Sequence, residues 1–91
     1  MYKIVATNQF KKDYKLCIKR GLKESKLVEV LTILEEKGKL PAKYKPHVLK
    51  GNYKGFWECH IQPDCLLIWE DSEEIKLITL NRTGTHSDLF K

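Results

Sequence analysis

Paired cysteines are missing from this sequence. The three present, Cys17, Cys59 and Cys65, are odd in number and lack any Cys-x-x-Cys or His-x-x-x-His spacing, so neither a disulfide framework nor a zinc site is implied and no cofactor is expected. Long hydrophobic runs are missing too. The longest near-apolar stretch, Cys65 to Trp69, is far too short to cross a bilayer, and Met1 to Val5 lacks the basic and apolar regions of a signal peptide. The expectation is a cytoplasmic protein with no membrane contact. No glycine-rich phosphate loop and no nucleophile elbow occurs, which removes support for nucleotide-dependent chemistry and for a serine or cysteine hydrolase. Internal repeats, low-complexity segments and linkers are likewise absent.

What is present suits one small folded unit. With 91 residues, 42% hydrophobic and 32% charged, the chain reads as a single domain over residues 1–91. A domain of this size buries roughly 60% of its unfolded surface, enough for a two-layer core. The net charge of +5 leans toward a polyanionic partner such as nucleic acid or an acidic protein.

Residues Tyr2 to Ala6 alternate as a first strand, and Thr7 or Asn8 offers a side-chain oxygen to the free N–H groups of a following helix. In that helix Phe10, Tyr14, Cys17 and Ile18 form one apolar stripe opposite Lys11, Lys12, Lys15, Lys19 and Arg20. Gly21 ends it. A second helix runs from about Lys23 to Lys37, carrying Leu27, Val30, Leu31 and Leu34 on one side and stopping at Gly38. A connection this short folds the two helices into an antiparallel hairpin.

From Lys39 to Gly55 periodicity breaks into a basic, aromatic loop holding Lys43, Tyr44, Lys45, His47, Lys50, Tyr53 and Lys54. Lysines interleaved with tyrosines suit a single-stranded nucleic acid, whose phosphates meet ammonium groups and whose bases stack on rings. Strands then follow one another: Phe56 to Ile61, Cys65 to Trp69, and Glu74 to Asn81 after a turn at Asp71-Ser72-Glu73. This order predicts an α+β fold, a small antiparallel sheet with an N-terminal two-helix hairpin on one face and the other face open.

The central hairpin brings titratable groups to one edge of that sheet. Phe56, Glu58 and His60 share one face; Trp57, Cys59 and Ile61 share the other, which is more apolar and is expected to meet the helices. A two-residue loop at Gln62-Pro63 sets His60 opposite Cys65, whereas a three-residue loop sets it opposite Asp64. Both registers remain open. An imidazole can be base or acid at neutral pH. Metal-free RNA cleavage needs such groups, one to take the 2′-hydroxyl proton and one to protonate the departing 5′-oxygen. His47, His60 and His86 supply them, Asp64 can orient an imidazole, and Arg82 can hold phosphate oxygens.

The run Lys45-Pro46-His47-Val48-Leu49-Lys50-Gly51, the block Gly55 to Asp64 with its His-x-x-Pro-Asp, and the tail Arg82-Thr83-Gly84-Thr85-His86 ending Leu89-Phe90 closely resemble the YafQ-type toxins of the RelE superfamily. The resemblance implies a bacterial type II toxin, a metal-independent and ribosome-dependent mRNA endonuclease. It also implies a cognate antitoxin partner, with DNA met only through that antitoxin. By motif position His47, His60, Asp64, His86 and Phe90 correspond to functional residues, and Arg82, Lys50 and Lys54 are expected at the substrate. Two positions depart from the pattern: Trp57 stands where arginine is frequent, and Cys65 where an aromatic is common. They favour the alternative of a weakened or inactive relative that binds antitoxin or RNA without cutting.

Overall fold

The computed structural model describes residues 1–90. The β-branched start of the chain forms β1 (Lys3–Ala6), and Thr7 caps α1 (Asn8–Lys19) by accepting the Phe10 N–H at 3.0 Å. After α2 (Glu24–Lys37), Gly38 adopts a left-handed φ of 73° and closes the helix through its N–H to the Leu34 carbonyl. The loop beyond is not structureless. It holds short 3-10 turns at Ala42–Tyr44 and Gly51–Tyr53, with a two-residue strand β2 (His47–Val48) between them. Then come β3 (Trp57–Gln62), β4 (Cys65–Ser72), β5 (Leu77–Gly84) and a short α3 (His86–Leu89).

The sheet order is β1-β5-β4-β3-β2. The helix pair carries the chain from the β1 edge to the β2 edge, and three antiparallel steps bring it back to lie beside β1. That return makes β1 and β5 parallel, Val5 opposite Thr79, so the sheet is mixed rather than wholly antiparallel. The third turn falls later than expected, at Glu73–Lys76, with Lys76 at a left-handed φ of 53°. As a result Arg82, Thr83 and Gly84 belong to β5 and not to a loose tail.

The helices cover one face. Val30 and Leu34 of α2, Leu67 of β4, Ile78 of β5 and Cys59 of β3 are wholly buried there, each large aliphatic side chain contributing about 1.5–3 kcal/mol relative to exposure. The α1 stripe is turned slightly from the expected one: Phe10, Asp13 and Cys17 are buried, while Ile18 is exposed. The carboxylate of Asp13 has a fixed partner on β5, and that rotates the helix toward it. The opposite face is only partly open. Leu66, Ile68 and Leu89 form a second, smaller core, with Leu49, Tyr53, Phe56 and Phe90 packed against it. The segment around the Gly51–Tyr53 turn and α3 therefore wall off part of the sheet and leave a cleft beside His60.

Candidate active site

The β3–β4 hairpin follows neither expected register. β3 runs on through Gln62, which pairs with Cys65, while His60 pairs with Leu66 and the register shifts between them. The turn is thus Pro63-Asp64, and Ile61 forms a bulge. This keeps Cys59 and Ile61 in the helix-side core and leaves Glu58 and His60 on the other face, as the alternation predicts. The turn is tied to the helix pair, because the Gln62 side chain accepts the Lys23 N–H at 3.0 Å, one of the free donors at the start of α2.

His60, Asp64 and His86 line one cleft of about 280 Å³, together with Glu58, Pro63, Leu66, Thr85 and Ser87. Residues remote in sequence meet here for a local reason. β5 pairs with β4 up to Gly84 opposite Leu66, and α3 begins directly afterwards, so His86 is delivered beside the strand that faces His60. A reciprocal capping box fixes that entry: Thr85 accepts the Asp88 N–H, and Asp88 accepts the Thr85 N–H, both at 3.1 Å. The His86 ring lies 4.9 Å from the Phe90 ring, which meets Tyr53 edge-on at 5.6 Å. Phe90 is thus packed against the minor core and beside an imidazole of the cleft.

His47 approaches from β2 through a residue that the sequence analysis did not single out. Its Nε2 lies 3.1 Å from Glu58 Oε1, and its Nδ1 lies 3.0 Å from the Lys45 carbonyl. Both neighbours are acceptors, so both contacts become hydrogen bonds only when the ring carries two protons or the Glu58 carboxyl carries one. Glu58 is 5% exposed, and its Oε2 is buried with no hydrogen-bond partner among the described residues. Such an orphan acceptor at the floor of a cleft is costly unless something satisfies it, by about 1–3 kcal/mol. The sequence carried one hint only, that Glu58 shares the strand face of Phe56 and His60.

The expected phosphate ligands lie elsewhere. Arg82 is paired at its Nε and a terminal nitrogen with Asp13, at 2.7 and 3.3 Å, and lines a separate small cavity with Asp13, Thr83 and Asp88. Lys50 and Lys54 stand exposed at the two ends of the Gly51–Tyr53 turn and do not line the cleft. The two departures from the family pattern face away from it. Trp57 stacks on Trp69 at 6.2 Å on the helix side, and Cys65 is buried there with its Sγ 3.7 Å from Thr83 Oγ1. Burial pushes the Cys17 thiol up to about 12 and raises those of Cys59 and Cys65, so all three are inert thiols rather than nucleophiles.

Known proteins share this fold. The family model described as the bacterial toxin of type II toxin–antitoxin system, YafQ, matches residues 2–91. The mRNA interferase toxin YafQ of Escherichia coli K12 is 41% identical over 85 residues, 92% of this chain and 90% of that protein. In the crystal structure of the E. coli DinJ–YafQ complex, a chain 39% identical superposes with a TM-score of 0.87, with complete coverage of both chains. A metal-bound toxin from Helicobacter pylori, 39% identical, gives a TM-score of 0.88 over 99% of this chain and 100% of that one. The chain belongs to the YafQ family of toxins from bacterial type II toxin–antitoxin systems.

Proposed function

We propose that this toxin is a ribosome-dependent endonuclease that cuts mRNA by acid–base chemistry without a metal, and that a cognate antitoxin binds and silences it. The observation that carries the reading is the shared cleft of His60, Asp64 and His86 with the buried Glu58 carboxylate beneath. In such a cleft one group takes the proton of a ribose 2′-hydroxyl, and the freed oxygen attacks the adjacent phosphorus. The bond from phosphorus to the 5′-oxygen then breaks, and a second group gives that oxygen a proton. The products are a 2′,3′-cyclic phosphate and a 5′-hydroxyl end. Two matched proton-transfer groups contribute about 10²- to 10⁴-fold each.

Asp64 and Glu58 serve the imidazoles by orientation and by stabilising their charged forms, and the free Oε2 of Glu58 offers a further acceptor to a substrate hydroxyl. His47 shares its proton with Glu58 from behind. Phe90 backs the His86 ring, a position suited to shaping the cleft against a base. Arg82 acts through Asp13 by fixing the end of β5, while Lys50 and Lys54 offer charge to RNA at the exposed rim. An antitoxin partner matches the DinJ–YafQ complex of the E. coli relative.

The test is a translation extract supplied with the protein, with and without ribosomes, in which the ends of the cleaved message are identified. Cleavage that requires ribosomes, leaves a 2′,3′-cyclic phosphate and a 5′-hydroxyl, and disappears with His86→Ala or His60→Ala is expected. Intact message with the wild-type protein would overturn the reading, and 5′-phosphate ends would overturn attack by the 2′-hydroxyl.

A further inference from the structure

A second cleft, of about 360 Å³, adjoins the first and has no role in the chemistry above. His60 and Pro63 line both, so the two meet across the β3–β4 turn. The second is basic. Lys26 of α2, with Lys43 and Lys45 around the Ala42–Tyr44 turn, lines it beside the Tyr44 ring, and Glu29 supplies the one carboxylate. Glu29 is already engaged: it accepts from the Tyr44 hydroxyl and lies 3.5 Å from Lys43 Nζ. Among the described residues Lys26 and Lys45 have no ion-pair partner.

Lys45 also holds a left-handed φ of 52°, an uncommon conformation for a residue with a side chain and one that clusters at functional sites. Its carbonyl lies 3.0 Å from His47 Nδ1, and His47 in turn meets Glu58 of the first cleft, while the Lys45 side chain lines the second. Lys43 Nζ lies 5.0 Å from the centre of the Tyr44 ring, a cation on an aromatic face at the cleft wall. Three ammonium groups against one committed carboxylate make an anion site, and its continuity with His60 gives that anion a geometry.

We propose that this cleft is an RNA subsite that holds the backbone of the message beyond the nucleotide being cut, with Lys26, Lys43 and Lys45 as its phosphate ligands. The inference rests on the nuclease reading and extends it. A strand whose reacting phosphate lies at His60 must leave the first cleft somewhere, and over the turn it meets Lys26 and Lys45, neither with an ion-pair partner among the described residues, beside Lys43. Each phosphate held there fixes the strand relative to His60 and His86, so the subsite contributes to position as well as affinity.

The experiment measures binding of a fully 2′-O-methylated RNA octamer, which cannot be cut, by fluorescence anisotropy across a salt series. The triple variant Lys26→Ala/Lys43→Ala/Lys45→Ala is compared with Lys11→Ala/Lys15→Ala/Lys19→Ala on the outer face of α1, which removes the same charge. The first is expected to bind about tenfold more weakly, with a salt slope lower by about 2 for three lost phosphate contacts. The control is expected to stay close to wild type. Lys26→Glu, at an exposed position in the first turn of α2 where a carboxylate favours the helix, gives the same direction without touching Tyr44.

Equal weakening in both triples would make the effect one of bulk charge and overturn the subsite. Unchanged octamer binding combined with lost antitoxin binding would assign the cleft to the protein partner instead. Because the octamer arm reads binding alone, failure of the wild-type protein to cut message in the extract overturns the nuclease reading separately.

Discussion

Asp13 of α1 and Arg82 of β5 form a two-pronged ion pair across 69 positions of sequence, and the same carboxylate accepts the Thr83 N–H at 3.2 Å. Gln9 donates a further bond at 3.0 Å, so the buried carboxylate is saturated. This clamp fixes the last residues of β5, where β1 no longer pairs, and so fixes the launch point of α3 and His86. Asp13→Asn keeps the shape but strands the Arg82 charge, and it is expected to cost about 2–4 kcal/mol, since breaking such a pair leaves an uncompensated cation. Chemical denaturation checks the stability. Cleavage should fall as well, because His86 loses its anchor.

Asp88 anchors the other side of α3. The Thr85 N–H, and then the Thr85 hydroxyl and Arg20, hold its carboxyl below the ordinary carboxylate value of 3.8. A folded-state value below the unfolded one gives stabilisation that is complete above about pH 4 and is lost as pH falls through the lower folded value. The stability difference between the wild-type protein and Asp88→Asn should therefore hold steady from pH 7 to about pH 4.5 and shrink in stronger acid, as chemical denaturation across pH reads it. Asp88→Asn should loosen α3 already at neutral pH, by about 0.5–2 kcal/mol for a lost cap. Unchanged Phe90 signals in that variant would show that the minor core alone seats the helix.

Local chemistry made much of this legible in advance. The two faces of β3 follow from alternation between Phe56 and Ile61, and the helix pair follows from Gly21, Gly38 and the stripe through Leu27, Val30 and Leu34. What escaped depends on distant partners. Asp13 reads as one more polar residue on a helix until Arg82 folds onto it, and Glu58 reads as solvated until Leu49, Phe56 and Phe90 close over its face. The bulge at Ile61 was hidden because hairpin register rests on turn geometry, which Gln62-Pro63-Asp64 leaves open. The parallel pairing of β1 with β5 is set by where the helices carry the chain, which no local pattern encodes.

Trp57 and Cys65 bear on the helix-side core, not on the cleft. Trp57→Arg should therefore bring no gain in message cleavage and should lower stability, as its stack on Trp69 is worth about 0.5–1.5 kcal/mol beyond the area buried. Cys65→Trp inserts a large ring beside Cys17 and Thr83, and overpacking of that kind costs about 1–3 kcal/mol. Thermal melts and cleavage assays at matched protein concentration decide the matter. A faster nuclease from either change would revive the reading of a weakened site.

The contact between Glu58 and His47 separates catalytic from structural need. In Glu58→Gln the amide oxygen can still face His47 Nε2, so the fold should hold to within about 1 kcal/mol. The variant loses the negative charge and the proton-accepting oxygen at the cleft floor, and cleavage should fall by about 10²-fold or more. His47→Ala weighs more on stability: it leaves both oxygens of a buried carboxylate unpaired, costing about 1–3 kcal/mol. If Glu58 only propped up the hairpin, Glu58→Gln would cut at nearly the wild-type rate, since it fills the same space and meets the same imidazole. Full activity in a stably folded Glu58→Gln protein would thus remove Glu58 from the mechanism and leave His60, Asp64 and His86 to carry the proton transfers alone.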